Sequence, residues 1–385
     1  MSVYLDHAAT TPMCDLAIAA MNSSLRKVGN PSSLHTEGRS TRKDVEDARE
    51  VIAKALDCAP SEIIFTGSGT EANNAAIKGL YWSAVQKDPV RRIILISSIE
   101  HQAVLDPALW LAEAEGAQVI QIPVDSSGVI DMAFLREVIQ KRGAEIALIS
   151  VMHSNNETGV IQPIAEIVEL AGDIPVHSDA VQSFTKVPLS YRQLGLFAMT
   201  ISAHKVGGPL GIGALVLKRA VEIPPLLHGG GQERDIRSGT LNAPSIVALA
   251  AAVSANSFDA KKVTELRDQF EAGLLALRPD AVINGKSSIR LPGISNITFP
   301  GTQSDSLLLL LDSEKVSCST GAACSAGVHR PSHVLLAMGL SEPVAQSSLR
   351  FSFGATNSKS DVDYALSVLP RVIERGLAAN AVGRS

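Results

Sequence analysis

The sequence predicts an α/β protein whose larger part is a mostly parallel seven-stranded sheet covered by helices, with a second, smaller domain beside it. Between about residues 60 and 220, short β-rich runs alternate with helix-compatible stretches, which argues for a sheet wound with helices on both faces. The 385-residue chain exceeds the length at which one hydrophobic core usually stops growing. Its character also changes near Ser257, after a continuous Ala-rich segment.

The strand-like runs are Glu62–Phe65, Arg92–Ser97, Gln118–Ile122, Ile146–Val151, Pro175–Ser178, Thr200–Ser202 and Ile212–Leu217. Helical patterns fall at Glu71–Gln86, Gln102–Glu115, Met132–Arg142 and Ile164–Ala171, with Gly116 and Gly143 as stop signals after the second and third. From Asn242, NAPSIVALAAAVSAN predicts a long helix bridging to the second unit. The apolar run Leu307–Leu311 is far too short to cross a bilayer and reads as a buried strand or helix segment. Leu227–Gly239 (LHGGGQERDIRSG) is Gly-rich, polar and charged, the composition of an exposed or functional loop.

Composition narrows the function. Apolar residues make up 45% and aromatics 4%, so the core is expected to be built mainly from Ala, Val, Ile and Leu. A net charge of −5 with interspersed signs gives no basic stripe for nucleic acid, and no segment suits a membrane. Cys14, Cys58, Cys318 and Cys324 form no CxxC pair, matching neither a disulfide framework nor a zinc site, and no metal is expected. With no basic, then apolar, leader at the start, a reducing cytoplasm is the expected setting.

Three segments carry candidate chemistry. Ser202-Ala203-His204-Lys205 follows a strand and precedes VGGPLGIGAL; a strand end in a wound sheet opens onto the ligand crevice, and glycines let backbone approach a bound group. Read alone, the same pattern also fits a surface lysine before a hairpin. Phe65-Thr66-Gly67-Ser68-Gly69-Thr70-Glu71-Ala72-Asn73-Asn74 is a strand entering a turn that opens a helix, a geometry suited to a phosphate. It lacks the Walker GK[ST] ending and the third glycine of GxGxxG, and read alone an ordinary N-cap and turn is the commoner explanation. His177-Ser178-Asp179 ends a strand, where a carboxylate either points into the crevice or caps the next helix.

Together and in order, these segments resemble the cysteine desulfurases, the NifS/IscS-like class V branch of the fold-type I enzymes that use pyridoxal 5′-phosphate (PLP). The resemblance also rests on YLDHAATTP, GNPSSLH (Gly29–His35), SSIEHQAV, VMHSNNETG (Val151–Gly159), HSDAVQ, GGGQERDIRSGTLN, CSTGAACSAG and SSLRFSFG (Ser347–Gly354). It implies a large PLP-binding domain of residues 14–256 and a small α+β domain of residues 1–13 with 257–385. Carried over, it implies that Lys205 holds PLP as a Schiff base, that Asp179 pairs with the pyridinium nitrogen and that Gln182 lies near the phenolic oxygen. His101 stacks on the ring and moves protons. Gly69, Thr70, Ser202 and His204 hold the phosphate, and Thr240 reaches the phosphate of a neighbouring subunit, which requires a homodimer. Asn30, Asn155 and Arg350 bind the substrate amino acid, Arg350 as a bidentate carboxylate clamp.

The segment Ser317–Gly327 consists of small residues without apolar periodicity and is expected to be a mobile functional loop. The resemblance places the nucleophile at Cys324 and not at Cys318, in the manner of the long-loop group I enzymes. It implies removal of sulfur from L-cysteine, leaving alanine and a persulfide on Cys324 for an acceptor protein such as an iron–sulfur scaffold or a thiolation enzyme. Two departures stand out: Leu210 follows the lysine where a lysine or methionine is frequent, and Cys318 adds a second thiol. A selenocysteine lyase that dispenses with Cys324 is the nearest alternative.

Overall fold

The structure is a computed structural model that describes residues 2–321 and 331–382. Strand β1 is Val3–Tyr4, and the next seven are β2 (Ile63–Thr66), β3 (Ile93–Ser97), β4 (Gln118–Ile122), β5 (Ile146–Ser150), β6 (Val176–Asp179), β7 (Ala198–Ser202) and β8 (Gly213–Leu217). These seven form one sheet in the order β2-β8-β7-β6-β5-β3-β4. Only β8 runs against its neighbours; the other pairings, from β7 to β4, are parallel. All seven sequence-predicted runs are in this sheet, each end within two residues of its expected place.

Why the runs are so uniformly apolar is visible in the packing. Residues Ile93 and Leu95 of β3 face a core shared with Val45, Ile52, Ile164, Ile167, Ile246 and Leu249. Ile94 and Ile96, one residue out of phase, face a second core with Ile77, Leu80, Val104 and Leu111. A strand covered on both sides has no solvent face, so the alternation expected of a half-exposed strand disappears.

The predicted helices are present at Gly69–Lys87, Gln102–Glu115, Met132–Arg142, Ile164–Ala171 and Ala243–Ala255. Gly116 ends its helix in the left-handed region at φ 70°. Gly143 does not: at φ −53° it continues into a short 3-10 turn, Gly143–Glu145, so its helix stops without the left-handed glycine that the sequence suggested. The ambiguous Leu307–Leu311 run is helical, inside Ser304–Ser313, with Leu307 and Leu311 buried one turn apart and Leu309 exposed.

A separate core lies beyond residue 256. Strands β9 (Val282–Asn284), β10 (Ile294–Thr298) and β12 (Ser348–Ser352) form an antiparallel sheet in the order β12-β10-β9. Helices Ala260–Leu277, Ser304–Ser313 and Lys359–Val382 pack with it around Phe270, Phe299, Phe351 and Phe353. Strand β11 (Val316–Ser317) pairs in parallel with β1, which carries Val3 and Leu5 into this same core. The N-terminal strand therefore packs with the C-terminal third of the chain, while residues 6–12 run back toward the large sheet. Among the described residues, no helix is long and apolar enough to cross a membrane.

One buried ion pair ties the Leu227–Gly239 loop to the sheet. Arg49 Nη2 and Nη1 donate to Glu233 Oε1 and Oε2 at 2.7 and 2.9 Å, Nη1 also donates to the Ile63 carbonyl, and Glu233 Oε2 accepts from the Phe65 amide at 2.7 Å. Arg49→Leu is expected to destabilise the protein by about 3 kcal/mol, because it strands a buried carboxylate. Urea denaturation checks this, with the Arg49→Leu/Glu233→Leu double variant expected to lose less than Arg49→Leu alone.

Candidate active site

The carboxyl ends of β2, β6 and β7 open onto one cavity of about 450 Å³, between the large sheet and Arg350 of β12. Each strand delivers one functional group. Beyond β2, the chain turns through Gly67 and Ser68 into the Gly69–Lys87 helix, where Ser68 Oγ caps the Glu71 amide at 3.1 Å. This cap leaves the amides of Gly69 and Thr70 without an acceptor among the described residues. Strand β8 backs the turn: a Cβ on Gly213 would lie 2.6 Å from Ser68 C and 2.8 Å from Gly69 N. Only glycine lets the strand approach so closely.

At the end of β6, the buried Asp179 accepts from Asn73 Nδ2 at 2.6 Å and from the Val181 amide at 2.9 Å. Its carboxylate faces the cavity and braces the turn that follows; it caps no helix, the next one, Tyr191–Leu194, being capped by Ser190. After β7, a single 3-10 turn, Ala203–Lys205, brings Lys205 to the cavity wall. The Lys205 amine donates to the carbonyls of Ala8 and Ala9, both at 2.6 Å. Burial, and next the Arg350 guanidinium, lower its pKa from 10.5 to about 8.

His101 caps the Gln102–Glu115 helix, its Nδ1 accepting from the Ala103 amide at 3.0 Å, which leaves Nε2 to carry the proton of the neutral ring. Burial lowers its pKa, with Asp179 opposing. Burial and Lys205 lower His204 to about 4. Ser202, Thr70 and Gln182 also line the cavity. Gln182 Nε2 donates to the Ala8 carbonyl at 2.8 Å, and its Oε1 accepts from Lys186 at 3.2 Å.

Arg350 is held by Asn156 O at 2.9 Å and Asp6 Oδ1 at 2.8 Å, and its buried Nε has no partner among the described residues. Ser319 and Gly321 line the same cavity. Cys324, the expected nucleophile, lies outside the described residues. Cys318 is buried in the second core, with its thiol pKa raised by that burial.

Three expected site residues are not brought to the cavity. Asn155 is fully buried, its Nδ2 spent on the Ile99 carbonyl and its Oδ1 on the amides of Glu157 and Thr158. In this structure it is a turn brace, and its neighbours Ser154 and Asn156 line the cavity instead. Asn30 is exposed, with Oδ1 accepting from the Ser32 amide, and Thr240 is exposed on the Gly-rich loop. The sequence reasoning, for its part, assigned nothing to Asn73, Gly213, Lys186 or Glu100. Asn73 and Gly213 sat inside the quoted motifs. Glu100 also sat in a quoted motif, SSIEHQAV, and Lys186 in none; what makes the two unusual is burial, which raises Glu100 well above a normal carboxylate and lowers Lys186 to about 7.

The donor set suits a phosphorylated pyridine aldehyde. The amides of Gly69 and Thr70 and the hydroxyls of Thr70 and Ser202 form an anion cradle, Asp179 provides a carboxylate, and Lys205 provides a partly neutral amine. An orphaned buried Asn73 Oδ1 beside Asp179 is a further unmet polar group at this wall. The aminotransferase class-V family model matches residues 3–365. The chain belongs to this family. Among its relatives, an IscS-like cysteine desulfurase of Mycobacterium tuberculosis is 48% identical over 383 residues, covering 98% of this chain and 97% of the relative. A solved structure described as a NifS-like protein superposes with a TM-score of 0.89 at 35% identity, covering 97% of this chain and 100% of that one. Another, SspA in complex with cysteine, gives 0.81 at 35% identity, covering 93% and 100%.

The depressed pKa has a readable sign. The neutral, nucleophilic amine of Lys205 accumulates as pH rises through about 8, not through 10.5. The rate at which cofactor-free protein captures an aldehyde at Lys205 should follow that midpoint. Borohydride trapping and peptide mass spectrometry measure it, and a midpoint above 10 would contradict the buried-amine account.

Proposed function

We propose that this protein is a PLP-dependent cysteine desulfurase, which takes sulfur from L-cysteine, releases L-alanine and carries the sulfur as a persulfide on Cys324. The observation that carries the reading is the convergence, on one cavity, of the Lys205 amine, the strand-end Asp179, the anion cradle at Gly69–Thr70 and the Arg350 guanidinium. The names of the similar proteins support it, including one solved with cysteine bound.

Bound at Lys205, PLP supplies an electron sink that acidifies the substrate Cα and weakens the bond to its sulfur. The remaining work falls to the chain. Asp179, fixed by Asn73 and the Val181 amide, keeps a negative charge where a ring nitrogen is to stay protonated. Arg350, which lines the cavity, presents its guanidinium to the substrate carboxylate. Lys205, lowered to about 8, has a neutral fraction near neutral pH that accepts the α-proton. His101, neutral with Nε2 protonated, returns a proton on the substrate side. The Cys324 thiolate then forms an S–S bond to the substrate sulfur as the C–S bond breaks; that electron pair stays with carbon, which is protonated to alanine.

Several finer features belong to the same reading. Thr240, which lies away from this cavity, reaches the phosphate of the partner subunit in a homodimer, and Asn30 binds the substrate amino acid. Asn155 serves the substrate pocket by holding the turn that presents Asn156, whose carbonyl anchors Arg350. The persulfide passes to an acceptor protein of iron–sulfur assembly or tRNA thiolation, and the setting is the cytoplasm.

Cys324→Ala is expected to abolish sulfide release from L-cysteine with reductant while leaving the visible absorbance of the Lys205 adduct unchanged. Desulfuration that persists in this variant would reassign the nucleophile and favour a lyase acting on selenocysteine.

A further inference from the structure

The Gly-rich loop and the turn beyond β2 share one carboxylate. Glu71 Oε2 accepts from the Gly67 amide at 2.7 Å, and Glu71 Oε1 accepts from Arg237 Nε at 2.9 Å. In the usual capping box, the carboxylate of the third helical residue returns to the N-cap amide. Here it reaches one residue further out, to Gly67, where a Cβ would stand 2.8 Å from Glu71 Oε2. The reach holds the turn closed and leaves the Gly69 and Thr70 amides free. It also puts a negative charge beside a cradle suited to an anion.

That charge must be offset for the cradle to hold a phosphate, and Arg237 is the cation paired with it among the described residues. The loop is built to keep Arg237 there. Glu233, Arg234 and Asp235 all have positive φ, at 48°, 61° and 58°. Three successive non-glycine residues in the left-handed region are costly. The Arg49–Glu233 ion pair and the Phe65 amide hold this conformation in place, two residues before Arg237.

We propose that Arg237 is a positioning and specificity residue: by neutralising Glu71 at the phosphate turn, it gives the site its preference for a 5′-phosphorylated cofactor over the unphosphorylated aldehyde. The proposal rests on the reading of Gly69 and Thr70 as the phosphate cradle of a PLP site. It also gives the loop a second task. Thr240 is expected to reach a partner's phosphate, and three residues earlier the same loop conditions the cradle of its own subunit.

The test compares PLP with pyridoxal, which shares the ring and aldehyde but lacks the phosphate. Dissociation constants for both are measured on cofactor-free protein from the absorbance of the Lys205 adduct, with thermal midpoints recorded alongside. Arg237→Gln keeps a hydrogen-bond donor for Glu71 and removes only the charge. It should weaken PLP about fivefold, the size expected of a partly exposed pair, and leave pyridoxal within about twofold. Arg237→Lys should retain the selectivity, and Arg237→Gln/Glu71→Gln should recover PLP affinity by removing the uncompensated carboxylate. An equal loss for both aldehydes in Arg237→Gln, or unchanged selectivity, overturns the proposal. If Arg237→Gln does not fold, Arg237→Lys and the double variant decide it: PLP binding in the double variant as weak as that of pyridoxal overturns it. Wild-type protein that binds PLP and pyridoxal equally refutes the cradle reading itself, a result separate from either outcome above.

Discussion

The hydrogen bonds from Lys205 to the carbonyls of Ala8 and Ala9 are the contact on which the site depends. Residues 3–5 belong to the second core, and Lys205 follows a strand of the large sheet, so these two bonds join the cores at the point where chemistry is expected. They also satisfy a buried amine that would otherwise have no partner at that depth. Carbonyl oxygens, unlike carboxylates, carry no net charge to hold the proton, and burial keeps the pKa of Lys205 low although two of its three N–H donors are bonded. A salt-bridged lysine in the same position would be held charged and would lose its nucleophilicity.

The same logic of partial satisfaction runs through the cavity wall. Asp179 is braced by an amide and a side-chain amide, neither carrying a charge, so its own charge is left for a ligand. Arg350 is paired with Asp6 and yet keeps Nε free. Unmet buried polar groups are rare in folded proteins and cost stability. Two such groups, Asn73 Oδ1 and Arg350 Nε, belong to residues that line this cavity and mark a wall organised for something other than stability.

What was legible in the sequence followed from periodicity and from motif order. Strands such as β3 and β5 were readable because burial on both faces makes them continuous apolar runs, whereas the edge strand β4, with Gln118 and Gln121 exposed, was readable from its β-branched residues between Gly116 and Pro123. Leu307–Leu311 stayed ambiguous because five consecutive leucines carry no period; its helical state comes from packing Leu307 and Leu311 on the second core. Gly143 failed as a left-handed stop because the chain tightens into a 3-10 turn there instead. Most of the site was legible from motif resemblance, while Asn155 shows its limit. Its place in the motif is as expected, but its amide is consumed by its own turn. The Arg237–Glu71–Gly67 chain was out of reach because it joins residues 166 positions apart that no local pattern connects.

Charge balance explains why the cavity suits anions. Lys205, Lys186 and Arg350 bring three cationic side chains toward it, against the carboxylates of Asp6 and Asp179. Glu100 and Glu157 lie nearby, and burial raises the pKa of both, Glu157 against the opposing pull of Ser332, His333 and Arg350. Burial is the main cause of the lowered pKa of both lysines, and the like charges add to it: Lys205 and Arg350 lower Lys186, and Arg350 lowers Lys205. An arriving phosphate or carboxylate relieves this repulsion and is bound by it. Burial and the same cationic field that draws in an anionic ligand together keep Lys205 ready to lose its proton, so a carboxylate added to this wall would weaken both properties.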